Sequence, residues 1–188
     1  MQKNENPIVL SLVLLVISVV VALILAFTNS ITEQKIAENT VKEQQAAMQA
    51  VLPEATEFED IGYSSGNVKA VYQALDGDKI VGWCVNVTPN GYGGAMDIMV
   101  GVSPDMTLSG IKVVSNSETA GLGAKCTDES FSSQFAEKKA PVSVIKNGEA
   151  TNSEIVAITG ATITSVAVTD GVNEAVLAVK GIGGGMND

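Results

Sequence analysis

Thr159-Gly160-Ala161-Thr162-Ile163-Thr164-Ser165 leads directly into an apolar stripe near the end of the chain. The stripe recurs at steps of three and four residues, at Val168, Val172, Val176 and Val179. That spacing is the period of a helix with one buried face. We therefore predict a helix here, capped at its start by Thr164 or Ser165 and ended by Gly181. The remainder of the chain is best understood as a scaffold for this stretch.

The turn before the predicted helix is rich in hydroxyl groups and small residues. A helix start carries unsatisfied N–H donors and a partial positive charge, so a hydroxyl-rich turn there suits a phosphate group. An ordinary capped helix would show the same residues. Taken alone, these residues leave both interpretations open.

Composition narrows the possible chemistry. The chain has 188 residues and a net charge of −10, and all 11 basic residues are lysine, which argues against nucleic-acid binding. The absence of histidine excludes histidine-dependent nucleophilic catalysis and histidine-ligated zinc. Cys84 and Cys126 form either one disulfide or two buried thiols. A protein with so few titratable groups is expected to obtain its chemistry from a cofactor.

The N-terminal part of the chain has the pattern of a membrane anchor. Ile8 to Phe27 is uncharged and overwhelmingly apolar, and as a helix it spans roughly 30 Å, the thickness of a bilayer core. A signal peptide is the alternative, but its apolar region is shorter and no small-residue cleavage site follows Phe27. Lys3 precedes the span, whereas Lys35 and Lys42 follow it, so charge does not determine its orientation.

Beyond the anchor we expect one globular domain. The predicted division is a short N-terminus (1–7), a transmembrane helix (8–27), a helical stalk (28–52) that ends before Pro53, the domain (53–180) and a flexible tail (181–188). The domain is of the α+β class, an antiparallel-rich sheet with flanking helices. Its predicted strands are Val68–Leu75, Lys79–Thr88, Ala95–Val102, Leu108–Val114, Val142–Ile145 and Ile155–Ile158.

Several local signals connect these strands. Asp76-Gly77-Asp78 marks a hairpin, and Asn147-Gly148 marks a tight turn that returns the chain to its partner strand. Asn116–Lys125 lacks periodicity, which predicts a loop, whereas Ser130–Lys138 is predicted to be a short helix. The alternating residues of the second strand, expected to share the core face, are Val81, Trp83, Val85 and Val87.

Four stretches together resemble one known family. Thr-Gly-Ala-Thr-x-Thr at 159–164 resembles the flavinylation motif of the FMN-binding domains in Rnf-type and sodium-translocating NADH:quinone reductase complexes. Gly91-Tyr92-Gly93-Gly94 resembles the central glycine segment of that family. Glu118-Thr119-Ala120-Gly121-Leu122-Gly123 resembles its Glu-Thr-Pro-Gly-Leu-Gly loop, with Ala120 in place of proline. Lys146 matches a lysine in the strand that leads to the motif.

The resemblance implies a cofactor and a role. By this resemblance we expect FMN to be joined to Thr162 through a phosphoester made by a flavin transferase, and the domain to lie outside the cytoplasm. The chain would then be expected to relay electrons among other membrane subunits of an ion-translocating redox complex, without independent catalysis. Its short length favours the G subunit of the Rnf-type ferredoxin:NAD oxidoreductase over the C subunit of the quinone reductase.

The resemblance also assigns residues to the flavin. Thr159, Gly160, Ala161, Thr164 and Ser165 accompany Thr162 in the attachment motif, and Tyr92 belongs to the glycine segment. Glycines such as those at 121 and 123 let a backbone approach the flat ring closely. We expect hydrogen bonds from Thr119, apolar cover from Leu122 and charge balance from Lys146. Glu118 is either a hydrogen-bond acceptor near the flavin or a carboxylate that organises its loop.

Two other functions are compatible with the sequence. A membrane-anchored protein that holds a small molecule without covalent attachment would have no redox role. A stand-alone flavoenzyme would use the same cofactor without partner subunits. Flavin absorbance that survives denaturation separates the first from the relay, and copurification with multi-span membrane subunits argues against the second.

Overall fold

The computed structural model describes residues 7–183, which fall into two units divided between Lys42 and Glu43. The expected N-terminus up to residue 6 and the tail beyond Gly183 lie outside the described residues. Helix α1 runs from Pro7 to Val51. Its segment Pro7–Asn29 has a mean hydropathy of 3.4 and is long and apolar enough to cross a membrane. The expected stalk is the continuation of α1, which ends just before Pro53.

Five antiparallel strands form the main sheet in the simple order β1-β2-β3-β4-β5. Their bounds are Glu57–Asp60, Val68–Asp76, Lys79–Val87, Asp97–Val102 and Leu108–Ser115. The structure confirms the predicted hairpin, since Asp76 pairs with Lys79 across its turn. The sequence does not predict strand β1, because Glu57-Phe58-Glu59-Asp60 holds a single apolar residue and lies at the edge of the sheet.

Each face of the sheet carries its own core. Helix α3, Thr162–Gly183, covers one face, and the four valines of the predicted stripe are buried there. The last turns of α1 cover the other face, where Ala47, Met48, Val51 and Leu52 are buried with Cys84 and Met99. The compact unit therefore begins at Glu43 and not near Pro53. Because both faces are covered, strand β3 is buried on both sides from Gly82 to Val87.

Strand β3 does not keep the alternation that the sequence predicts. Trp83, Val85 and Val87 do share the face covered by α3, but Val81 packs on the opposite face. The pairing with β2 passes from Gly82 directly to Ile80, so Val81 is the extra residue of a β-bulge. Because a bulge adds one residue to the strand, the alternation of side chains between the two faces shifts by one residue at that point. A sequence pattern with period two does not reveal this shift.

A second, two-stranded sheet delivers the chain to α3. Strands β6, Ser143–Ile145, and β7, Glu154–Val156, pair in parallel, which contradicts the tight return expected at Asn147-Gly148. A parallel pair requires the chain to travel back to the start of its neighbour, and residues 146–153 provide that connection. Both strands therefore end at the same edge, where Lys146 and the threonine motif follow them.

The remaining predictions are correct in outline. The loop after β5 contains a 3-10 helix at Gly123–Thr127 that sequence periodicity does not reveal. The predicted short helix is smaller than expected: helix α2, Glu129–Ser132, followed by a 3-10 turn at Ser133–Phe135. Its two phenylalanines, four residues apart, are both buried and meet edge to face with ring centroids 5.5 Å apart.

Helix α3 begins earlier and ends later than predicted. Its first residue is Thr162, so Thr164 and Ser165 lie inside the first turns and do not cap the start. Ser165 N–H donates to the Ala161 carbonyl at 3.0 Å, which places Ala161 at the capping position. Gly181 does not end the helix, because the apolar residue Ile182 packs against the core beyond it.

Candidate functional site

Two turns of the same kind lie beside the start of α3. In Thr119–Leu122 the Leu122 N–H donates to the Thr119 carbonyl at 3.1 Å, and in Ile158–Ala161 the Ala161 N–H donates to the Ile158 carbonyl at 2.9 Å. The third residues, Gly121 and Gly160, have φ of 80° and 78°. A type II turn requires this positive φ, which explains both glycines without a ligand.

A cavity of about 460 Å³ opens between these turns and the glycine segment. Its size lies within the usual range for cofactor sites. It is lined by Tyr92, Glu118, Thr119, Leu122, Gly123, Gly160, Ala161, Thr162, Ile163 and Thr164. The structure thus brings together three stretches that the sequence analysis selected separately.

The floor of the cavity, defined here as Glu118, Gly123 and Thr164, is organised by the hydrogen bonds that the Glu118 carboxylate accepts. Glu118 Oε1 accepts from the Gly93 N–H at 2.9 Å, and Glu118 Oε2 accepts from the Thr164 hydroxyl at 2.7 Å. Thr164 is only 1% exposed. One carboxylate therefore connects the glycine segment, its own loop and α3. Both roles predicted for Glu118 stay open: its carboxylate accepts a backbone N–H bond, and its side chain also faces the cavity.

Three glycines make room for the Glu118 carboxylate and for the backbone that leads to it. A Cβ atom at Gly91 or Gly123 would collide with the Glu118 carboxylate, and one at Gly123 would also lie 2.7 Å from Thr164 Oγ1. A Cβ atom at Gly93 would collide with the backbone of Ser117. The glycine segment and the loop after β5 can approach each other only without side chains at these positions.

The rim of the cavity, defined here as Tyr92, Leu122, Thr162 and Ile163, is open by contrast. Tyr92, Leu122 and Ile163 are 73%, 46% and 59% exposed, large values for apolar side chains. Among residues 7–183, the Thr162 hydroxyl makes no hydrogen bond. The sequence did not predict Ile163 as a site residue. A signal was present, because Ile163 falls outside the valine stripe and is therefore expected to point away from the core.

Four of the predicted site residues do not line the cavity. Gly121 serves its turn, and Thr159 is exposed at the tip of the other turn. Ser165 is buried and fastens that turn to the helix, because its Oγ accepts from the Ile158 N–H and donates to the Ala161 carbonyl, both at 3.0 Å. Lys146 is exposed at the edge from which the motif departs.

Comparison with known proteins identifies the family. A family model described as the FMN-binding domain matches residues 91–177, and one described as the RnfG N-terminal region matches residues 2–51. The G subunit of the proton-translocating ferredoxin:NAD(+) oxidoreductase complex of Clostridium ljungdahlii is 37% identical, with 87% of this chain and 86% of that protein covered. Its counterpart in the Na(+)-translocating complex of Acetobacterium woodii is 38% identical, with 87% of each covered. The chain belongs to the RnfG family.

Solved structures confirm the fold of this RnfG-family chain. NqrC, the C subunit of the Na(+)-translocating NADH-quinone reductase, from Parabacteroides distasonis superimposes with a TM-score of 0.61 at 21% identity, covering 78% of this chain and 93% of that one. NqrC from Shewanella oneidensis gives 0.50 at 20% identity, with 65% of each chain covered. The neighbours support a single FMN-binding fold.

The cavity of the RnfG-family chain fits the group that its family model names. All ten lining residues fall within the matched residues 91–177. The first N–H groups of α3 precede its first intrahelical bond and can hold a phosphate beside the unpartnered Thr162 hydroxyl. The exposed apolar rim offers cover for a flat ring. Among residues 7–183, no cluster of acidic or cysteine side chains suited to a metal ion is present.

Both cysteines are free and buried, on opposite faces of the sheet. Burial raises the pKa of Cys84 to about 12. The pKa of Cys126 is raised to about 11 by burial and then by the nearby Glu118 carboxylate. These thiols are structural, which resolves the choice that the sequence left open.

Proposed function

We propose that this chain is the electron-relaying subunit of an ion-translocating membrane redox complex and that FMN occupies the cavity at the start of α3. The single observation that carries the proposal is the coincidence of the cavity with the FMN-binding match: the unpartnered Thr162 hydroxyl stands there at a helix N-terminus. The relatives are named as subunits of ferredoxin:NAD(+) oxidoreductase complexes, which supplies the redox context.

Thr162 is the proposed attachment point. Its hydroxyl lies on the rim, half-buried and unpartnered, at the first residue of α3. A phosphoester there places the phosphate against free N–H groups and the positive end of the helix dipole. We assign the transfer to a separate flavin transferase acting on a flavin donor with a phosphoanhydride bond. Thr162 Oγ1 bonds to the phosphorus of the FMN part as that anhydride bond breaks, the second phosphate leaves with the rest of the donor, and the hydroxyl proton passes to a base of the transferase.

The neighbouring hydroxyls are poorer candidates. Thr164 is buried, and its proton is donated to Glu118. Ser165 is buried and holds the adjacent turn. Thr159 is exposed but does not line the cavity. Accessibility and hydrogen bonding thus support the residue that the sequence motif indicates.

The other lining residues then have definable roles. Tyr92, Leu122 and Ile163 offer apolar surface to the bound group, and Thr119 is exposed beside them. A bound FMN supplies two-electron and one-electron transfer at one site, and its hydrogen bonds tune its potential. Lys146 follows β6 at the edge where the motif begins, and we keep it as the proposed counter-charge for the phosphate.

We further propose that Ile8–Phe27 anchors the chain in the membrane and that the FMN-binding domain that follows it is extracytoplasmic. The apolar side chains of Pro7–Asn29 are exposed, as a lipid environment requires. Alkaline phosphatase fused to the C-terminus should be active. A fluorescent protein of a kind that folds only in the cytoplasm should be dark when fused at the same place. The opposite pattern contradicts the orientation.

Intact mass spectrometry tests the cofactor and its linkage together. Full-length chain coexpressed with a flavin transferase and denatured before measurement should carry the mass of one FMN less one water. Chain expressed without the transferase is the control and should lack this mass. A denatured chain with no added mass, together with free FMN in the supernatant, would instead support non-covalent binding.

A further inference from the structure

The cavity contains one charged side chain, and that charge is negative. Of its ten lining residues only Glu118 is ionisable near neutral pH, and no lysine is among them. Both carboxylate oxygens are held in place, by the Gly93 N–H and by the Thr164 hydroxyl. The charge is therefore fixed at the floor and cannot swing into solvent.

Glu118 already acts on a neighbouring group through its charge. After burial, its carboxylate is the largest cause of the raised pKa of Cys126, which means that it disfavours a new negative charge on that sulfur. The same physics applies to any group in the cavity that becomes negative, because a half-buried carboxylate is only partly screened by water.

We propose that the fixed negative charge of the Glu118 carboxylate lowers the reduction potential of a flavin bound in this cavity. The proposal rests on the proposed function. Adding two electrons and one proton to the neutral oxidised ring leaves a net negative charge on it. The Glu118 carboxylate opposes that charge, so reduction becomes less favourable. A low potential suits a relay that works with strong reductants such as those named for the relatives.

Two substitutions should move the potential in opposite directions. Glu118→Gln removes the charge but keeps an oxygen for the Gly93 N–H and an amide that can donate to Thr164, so the potential should rise. Thr164→Val keeps the charge but removes the hydroxyl that partly neutralises Oε2, so the potential should fall. A role that is only structural predicts no shift in either variant or shifts of the same sign in both.

The measurement is a spectroelectrochemical titration of the full-length flavinylated chain in detergent, with every variant measured at the same pH. Glu59→Gln changes an exposed glutamate on the opposite edge strand β1 and should match the unaltered chain. Thr164→Ser keeps the hydroxyl and is the reference with which the potential of Thr164→Val is compared. If Glu118→Gln does not fold, the lower reduction potential expected for Thr164→Val than for Thr164→Ser still tests the role of Glu118.

The outcomes separate the two proposals. An unaltered chain without flavin after denaturation contradicts the covalent linkage of the proposed function. Flavin attached in all variants, with an unchanged or lowered potential in Glu118→Gln, or with an unchanged or raised potential in Thr164→Val, overturns the role of Glu118 alone.

Discussion

The floor and the rim of the cavity differ in whether their polar groups have hydrogen-bond partners. At the floor, the Glu118 carboxylate and the Thr164 hydroxyl are bonded to each other, and glycine backbone fills the space around them. At the rim, two residues earlier on the same helix, the Thr162 hydroxyl has no partner within residues 7–183. Large apolar side chains also stand exposed there.

This contrast distinguishes residues that shape the site from residues that are free to react. A buried hydroxyl whose proton is committed to a carboxylate stabilises the fold, and removing it leaves a charged group without its partner. A hydroxyl that makes no hydrogen bond, such as that of Thr162, contributes little to stability. The floor should therefore respond to substitution mainly through stability, and the rim mainly through cofactor attachment.

Gly123→Val should have the largest effect on stability. The new side chain would collide with Glu118 and Thr164, and overpacking of this kind costs about 3 kcal/mol. Gly121→Val is the matched control, because the space there is open and the cost is the strain of φ 80°, about 1–2 kcal/mol. Denaturant unfolding of both variants measures the difference. Equal losses would mean that the floor is not tightly packed.

Thr164→Val should have the second-largest effect on stability. It removes the donor to Glu118 Oε2, and a hydrogen bond to a charged group contributes about 1.5–3 kcal/mol. Thr164→Ser restores the hydroxyl and should recover most of that stability. Flavin should remain attached in both variants. A Thr164→Val chain as stable as the original would show that Glu118 does not depend on this hydroxyl.

Ala120→Pro should have a smaller effect of opposite sign. Ala120 is the second residue of the Thr119–Leu122 turn, a position that favours proline, and its N–H takes part in no hydrogen bond of the described chain. Reduced freedom of the unfolded chain should raise stability by about 0.4–1 kcal/mol. Thermal unfolding detects this gain, and destabilisation would show that the Ala120 backbone is unsuited to proline.

Local patterns predict much of this molecule. The apolar span, the valine stripe of α3 and the hairpin between β2 and β3 follow from periodicity and turn chemistry within short windows. The parallel pairing of β6 with β7 and the bulge at Val81 do not, because both depend on where distant segments meet.

The site shows the same division. The motifs identify nine of its ten lining residues, through the resemblance and not through physics. The partner of Glu118 is 46 residues away in sequence, so no local signal could assign the Thr164 hydroxyl to it. The predicted capping role of Thr164 is wrong for this reason: its side chain is directed to the floor and not to the helix start.

Thr162→Val should change stability least, by less than about 0.5 kcal/mol, because its hydroxyl has no partner to lose. Its effect on the cofactor should be complete, since the β-branched shape remains while the nucleophilic oxygen is gone. Thr162→Ser is the control that keeps a hydroxyl.

Peptide mapping of full-length chain coexpressed with a flavin transferase tests the central claim most directly. The account predicts FMN on the peptide that contains Thr162 in the unaltered chain and in Thr164→Val, and no FMN on any peptide of folded Thr162→Val. FMN that persists on this peptide after Thr162→Val, or that disappears only after Thr164→Val, would contradict the assignment of Thr162.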